Sequence, residues 1–155
     1  MYAMKITESK TLTATQFAQV NQLWNEEYPV KLKDRFPLLL DDVSTHKHYL
    51  ITDESNNILA WAVAFEKKEQ IRFSLIVASR YQRKGLGAWL INQLKIAHAE
   101  FYGWVIDHHE DLKANGENYT SPLPFYLKQG FELLPDQRID NAMIRAVLVK
   151  WKHQD

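Results

Sequence analysis

Two glycines one residue apart, Gly85 and Gly87, stand in the stretch Arg80 to Leu90, "RYQRKGLGAWL". An apolar run precedes them and a helical pattern follows. Glycine is a poor helix former, so its use at a helix entrance needs a reason. A helix start carries free backbone N–H groups and the positive end of the helix dipole, which together attract anions. Glycine there lets a bulky oxyanion come close to the backbone with no Cβ in the way. Arg83 and Lys84 add positive charge directly before the first glycine. The segment Gln82 to Gly87, "QRKGLG", therefore reads as a cradle for a pyrophosphate. Each charge-assisted hydrogen bond in such a cradle contributes roughly 1.5–3 kcal/mol.

The elements that must position this turn can be read from the period of the apolar residues. Met4 to Glu8 suits a short edge strand. Thr13 and Gln16 form a capping-box pattern, and Phe17, Val20, Leu23 and Trp24 then fall on one helical face. Pro29 stops that helix near Tyr28. A shorter helix is expected over Lys33 to Asp42. Three strands follow: "HKHYLIT" from His46, "ILAWAVAFE" from Ile58 and "QIRFSLIVA" from Gln70. They predict an antiparallel meander. His46 and His48 alternate in the first of these and are expected on the solvent face of an edge strand. After the glycine turn the helical period returns, with Leu86, Leu90, Leu94 and Ala97 sharing a face. "YGWVID" from Tyr102 is apolar on both faces, as in a strand covered on both sides. A loop from His108 to Ser121, a short helix in "PLPFYLKQ" stopped by Gly130, and closing strands "FELL" and "MIRAVLVKW" complete the order. The expectation is a single mixed α/β domain over residues 1–155. Its sheet is largely antiparallel, with one β-α-β crossover in the middle and helices flanking it.

Composition narrows the function classes. The chain has 155 residues, of which 46% are hydrophobic and 25% charged, a balance that fits neither disorder nor a coiled coil. Lys plus Arg and Asp plus Glu both number 19, so the net charge is zero and strong nucleic-acid binding is not expected. There is no cysteine, which excludes disulfides, thiolate nucleophiles and zinc–cysteine sites. The longest apolar run, Ile58 to Phe65, is far too short to span a bilayer. The N-terminal residues lack the basic-then-apolar pattern of a secretory signal, so a soluble cytoplasmic protein, monomer or homodimer, is expected.

Known phosphate turns discriminate further. A dinucleotide-binding turn needs a third glycine where this chain has Leu90, and the P-loop pattern is absent. Gln82, Gly85 and Gly87 instead fit Q/R-x-x-G-x-G/A. This resembles the acetyl-CoA-binding motif of the GCN5-related N-acetyltransferase (GNAT) superfamily. "SLIVASRYQRKGLGAWLINQL" is similar to that family's strand–turn–helix, and "FYLKQGFELL" resembles its second signature, F-Y-x-K-x-G-F, about 40 residues on. The likeness covers most of the chain after residue 45. Ser79 stands where the family commonly has proline, Arg83 where it often has glycine, and Tyr119 where it often has asparagine.

The resemblance implies acetyl-CoA as co-substrate, no metal, and an amine acceptor that is a small molecule or a protein. Ile76 and Val77 are expected to pair with the pantetheine arm. Gln82, Arg83, Lys84, Gly85, Leu86, Gly87 and Ala88 are expected to hold the pyrophosphate, and Lys128 to meet a CoA phosphate. Tyr126 is the implied donor to the leaving thiolate. A lysine-like amine with a pKa of about 10.4 is neutral in only about one molecule in 2,500 at pH 7, so a base is wanted. His108, His109 and Glu110, at the carboxyl end of the "YGWVID" strand, are candidates, because crevices form there in α/β sheets. Glu26, Glu27, Tyr28, Asp34 and Arg35 fall where relatives shape the acceptor pocket, although they read first as a solvated face. The rival to an acetyltransferase is a CoA-binding sensor or partner domain without chemistry.

Overall fold

The computed structural model describes residues 4–41, 43 and 45–154. In chain order the elements are β1 (Lys5–Ser9), α1 (Ala14–Glu27), α2 (Phe36–Leu39), β2 (His46–Thr52), β3 (Ile58–Lys67), β4 (Gln70–Val77), α3 (Leu86–Ala97), β5 (Glu100–Ile106), α4 (Leu123–Lys128), β6 (Glu132–Asp140) and β7 (Arg145–Lys152). Short 3-10 turns at Val30–Leu32 and Ser79–Tyr81 precede α2 and α3. One sheet runs in the order β1-β2-β3-β4-β5-β7-β6. Every neighbouring pair is antiparallel except β4 and β5, which α3 joins as a crossover. Among the described residues no helix is long and apolar enough to cross a membrane.

The expected capping box is present. Gln16 N–H donates to Thr13 Oγ1 at 3.1 Å, and Thr13 N–H donates to Gln16 Oε1 at 2.9 Å. This fixes the start of α1, whose Val20, Leu23 and Trp24 pack with Phe36 of α2 against Leu50, Trp61, Val63 and Ile76 of the sheet. The opposite face carries α3 and α4. Leu86, Leu90, Ile91 and Leu94 turn inward there with Phe73, Phe101, Tyr126 and Phe131. Ala97, expected on the same stripe, is exposed, and Ile91 takes the inward place. The central strands are covered on both sides, which explains the unbroken apolar run of β3.

Three other expectations are corrected. The helix anticipated over Lys33 to Asp42 shrinks to four residues. Asp34 takes a left-handed φ of 61°, which keeps the helix from starting before Arg35, and Pro37 falls in its first turn, where proline is tolerated; Asp42 itself lies outside the described residues. The strand read at "FELL" continues to Asp140 through a register shift between Leu134 and Arg138. Pro135 has no N–H to give a ladder and sits in that irregular stretch of an edge strand. His48 is buried, not solvent-facing, because β1 covers the edge of β2. Its Nδ1 accepts a hydrogen bond from Trp61 Nε1 at 3.0 Å, and burial pushes its pKa down to about 4, with His46 adding repulsion.

Candidate active site

The turn between β4 and α3 is built by backbone conformation. After Val77 the chain makes the 3-10 turn, Gln82 is extended, and Arg83 and Gly85 take left-handed φ values of 64° and 84°. Such a run folds successive N–H groups into a concave surface suited to anions. Trp89 N–H donates to Gly85 O at 3.0 Å as the helix begins, and no side chain caps α3. The N–H groups ahead of Trp89 are thus open at the helix mouth, where the dipole is positive. Arg80, Arg83 and Lys84 are exposed around it. The Arg80 and Lys84 charges flank the Tyr81 ring at 5.8 and 5.7 Å. Lys128 is exposed at the end of α4.

The two glycines have different causes. A Cβ on Gly85 would meet nothing within 4 Å, so its conformation alone demands glycine. A Cβ on Gly87 would lie 3.0 Å from Phe125 Cζ. Gly87 was expected to clear space for an oxyanion; its bare Cα also lets α4 close on α3. Leu86 is buried in the core beneath the turn, whereas Ala88 is half-buried beside it. The Gln82 side chain folds back, and its Nε2 donates to Val77 O at 3.0 Å.

Beside this mouth the sheet opens. β4 and β5 share one paired position, Arg72 with Tyr102, while β4 stays paired with β3 along its whole length. Beyond Arg72 the edge of β4 that faces β5 has no strand partner among the described residues. The Phe73 ring fills the space where Gly103 lacks a side chain: a Cβ there would fall 2.4 Å from Phe73 Cε1. A cleft of about 210 Å3 results. Its walls include Ser74 and Leu75 of β4, Trp104 and Val105 of β5, and three tyrosines from separate segments, Tyr28, Tyr119 and Tyr126. Ile76 points its side chain to the α1 layer and Val77 to the α3 layer, as strand alternation requires.

Tyr126 is buried among Phe73, Phe125 and Phe131, with ring centroids 5.6, 5.1 and 5.3 Å away. Burial first, and the neighbouring Tyr28 second, hold its hydroxyl pKa far above the usual tyrosine value. Tyr119 is raised in the same way, chiefly by burial. Burial also raises Tyr28, offset in part by its 3.0 Å hydrogen bond with Ser74 Oγ. All three phenols are therefore neutral and can donate hydrogen bonds.

His108, His109 and Glu110 are not brought to the cleft. His108 Nε2 lies 3.6 Å from Asp111 Oδ2, and its Nδ1 accepts from Glu110 N–H at 3.1 Å. His109 Nδ1 accepts from Ser121 N–H at 3.0 Å. The Glu110 carboxylate turns outward to Arg145. None of the three is among the residues lining the cleft.

Two residues of the segment read as acceptor region or solvated face take definite places. Tyr28 is a wall of the cleft. Glu27, beside it, accepts from Ser79 N–H at 2.8 Å, from Ser79 Oγ at 2.6 Å and from Lys113 Nζ at 3.1 Å. These bonds tie α1, the end of β4 and the loop after β5 together. A proline at Ser79 would have no N–H for Glu27. The same loop is also held by Val30 N–H to Leu112 O at 2.7 Å and Lys31 to Asp111 at 2.8 Å.

Known structures share this architecture. An acyl-CoA N-acyltransferase from Pseudomonas aeruginosa superposes with a TM-score of 0.67 at 16% identity, covering 97% of this chain and 99% of the other. The ribosomal-protein-S18-alanine N-acetyltransferase from Escherichia coli gives 0.62 at 15% identity, covering 97% and 96%. A GNAT superfamily phosphinothricin acetyltransferase from Sinorhizobium meliloti, solved with AcCoA, gives 0.61 at 12% identity, covering 96% and 88%. No curated protein matches the chain by sequence. The family model for the acetyltransferase (GNAT) domain matches residues 44–133, more than half of the chain and the part that holds the glycine turn, the splayed strands and Tyr126. By that match, and with the fold to support it, the chain belongs to the GNAT acetyltransferase family.

Proposed function

We propose that this protein transfers an acetyl group from acetyl-CoA to a primary amine by direct attack. The observation that carries the reading is the opening between β4 and β5 beside the uncapped start of α3. A long, flexible ligand with an anionic end fits that pair of features. N–H groups from Arg83, Lys84, Gly85, Leu86, Gly87 and Ala88 take the pyrophosphate, with the Arg83 and Lys84 charges beside it and Lys128 toward a further phosphate. The free edge of β4 at Ile76 and Val77 takes the amide-bearing arm as a missing strand would. In doing so it competes with Gln82, which holds Val77 O in the absence of that arm.

Bound acetyl-CoA supplies an acyl group activated as a thioester. The acceptor nitrogen forms a C–N bond to the carbonyl carbon as the C–S bond breaks, and the electron pair leaves on sulfur. The nitrogen loses one proton and the sulfur gains one, so an amide and a thiol are formed. Tyr126 stands at the cleft with a neutral hydroxyl and donates a hydrogen bond to the developing thiolate. Burial makes full proton loss from this phenol costly, which favours hydrogen bonding over transfer. His108, His109 and Glu110 receive no role as bases, since each is engaged outside the cleft.

Calorimetric titration with acetyl-CoA, followed by thiol release across a panel of amines, tests the reading. Binding with turnover of at least one amine is expected. Absence of binding overturns it. Binding with no turnover of any amine supports a CoA-sensing domain instead.

A further inference from the structure

Arg72 occupies the vertex of the opening, at the last position where β4 pairs with β5. Its guanidinium lies over the Trp104 ring, 5.8 Å from the centroid, and one NH2 group donates to Gln70 Oε1 at 2.9 Å. Its Nε is buried and has no hydrogen-bond partner. Among the described residues no carboxylate lies within ion-pair distance of it. Glu100, two residues from Tyr102 on β5, is taken up by Tyr102 Oη at 2.5 Å and by Lys150 at 3.9 Å. Arg72 is also the one charged side chain among the described residues lining the cleft. Around it the walls are apolar, with Trp24, Phe65, Trp104 and Ile144. Arg72 is half-buried, and a charge held partly away from water gains from a partner that supplies the hydrogen bond its Nε lacks. Guanidinium presents five N–H donors in a fork that matches a carboxylate.

Resting on the acetyltransferase reading above, we propose that Arg72 binds a carboxylate of the acceptor, and that the acceptor is a small amino acid with an apolar side chain. The carboxylate supplies the missing counter-charge, and the aromatic and aliphatic walls take the apolar body. Ser74 lies two residues along β4, on the same face, and its hydroxyl pair with Tyr28 offers further hydrogen bonds at the cleft wall. The same features disfavour a polyamine. It would bring positive charge toward Arg72, and among the described residues no acidic side chain lines the cleft to receive it. Arg72 thus selects the acceptor, and the group transfer itself proceeds as described above.

The test compares L-phenylalanine and L-leucine with 2-phenylethylamine, isoamylamine, L-phenylalaninamide and spermidine, at saturating acetyl-CoA, by thiol release. For the wild-type protein, kcat/KM for each amino acid should exceed that of its decarboxylated amine at least 100-fold, with spermidine inactive. Arg72→Gln should raise KM for L-phenylalanine at least 30-fold, with kcat within threefold and KM for 2-phenylethylamine unchanged. Arg72→Lys should recover part of the loss. Amines without a carboxylate reacting as well as the amino acids, or Arg72→Gln affecting both alike, overturns the proposal. The wild-type comparison decides even if the variant does not fold. If acetyl-CoA binds but no amine reacts, calorimetric binding of L-phenylalanine to the CoA-loaded protein decides. If acetyl-CoA does not bind, the earlier reading fails, and L-phenylalanine titrated into wild-type and Arg72→Gln protein still decides whether Arg72 holds a carboxylate.

Discussion

The mouth of α3 and the cleft beside it are built by opposite means. The mouth offers backbone amides, shaped by two left-handed residues, and the surrounding cations are exposed. The cleft is lined instead by buried and half-buried side chains drawn from segments that include α1, β4, β5, the loop after β5 and α4. A backbone site is specified locally and tolerates most side chains around it. A side-chain site depends on packing between distant segments and tolerates few changes. The contrast teaches that affinity for one substrate and choice of the other can vary independently in this fold.

Substitutions can break that contrast. The largest effect is expected from Gly85→Asp. Open space surrounds the new Cβ, and aspartate enters the left-handed region more readily than most residues, so the fold should survive. The carboxylate would face the bound phosphates, and loss of about two charge-assisted bonds should weaken acetyl-CoA binding roughly a thousandfold, or about 4 kcal/mol by calorimetry. Next is Gly103→Ala in the cleft. The Phe73 ring has Phe101, Tyr126 and Phe131 around it, all within 5.6 Å between centroids, and cannot step aside freely. Overpacking should cost about 2–3 kcal/mol in denaturant unfolding. Unchanged stability would show that the gap is not wedged by this contact. Tyr126→Phe should lower kcat about 30-fold, roughly 2 kcal/mol in the barrier, with acetyl-CoA affinity unaltered. Equal rates would remove its role.

The smallest effect concerns acid. His48 supports Trp61, which packs on Phe36 in the layer behind the cleft. Its folded pKa, about 4, lies below the unfolded value near 6.5, so the unfolded chain binds more protons between those limits. The stability His48 confers is complete above pH 6.5 and declines as pH falls toward 4. The decline should be roughly 0.7 kcal/mol between pH 7 and pH 6. His48→Gln keeps an acceptor for Trp61 and should flatten this part of the profile in thermal melts.

The local rules were legible in the chain. Thr13 and Gln16 specified a helix start because both partners lie within one turn. The alternation from His46 to Val77 laid out the meander. What the chain concealed was long-range. His48 looked like an edge residue until β1, far away in sequence, covered it. Tyr28 is 46 residues from the Ser74 it bonds, and Glu27 is 86 from Lys113. The histidines after β5 attracted attention by chemical type, but their rings serve loop backbone and neighbouring acids. Gly103 gave no signal at all, since its reason is a ring on another strand.

The gap between β4 and β5 leaves the central sheet with an unfilled ladder position at its very middle. A guest that inserts peptide-like groups there completes the ladder, and the host becomes harder to melt in proportion to how much of the ladder it restores. Full-length coenzyme A should accordingly protect against heat more than 3′,5′-ADP, which carries the anionic end but has nothing to lay along the strand. On that reading, heat resistance in this fold would be partly borrowed from its substrate.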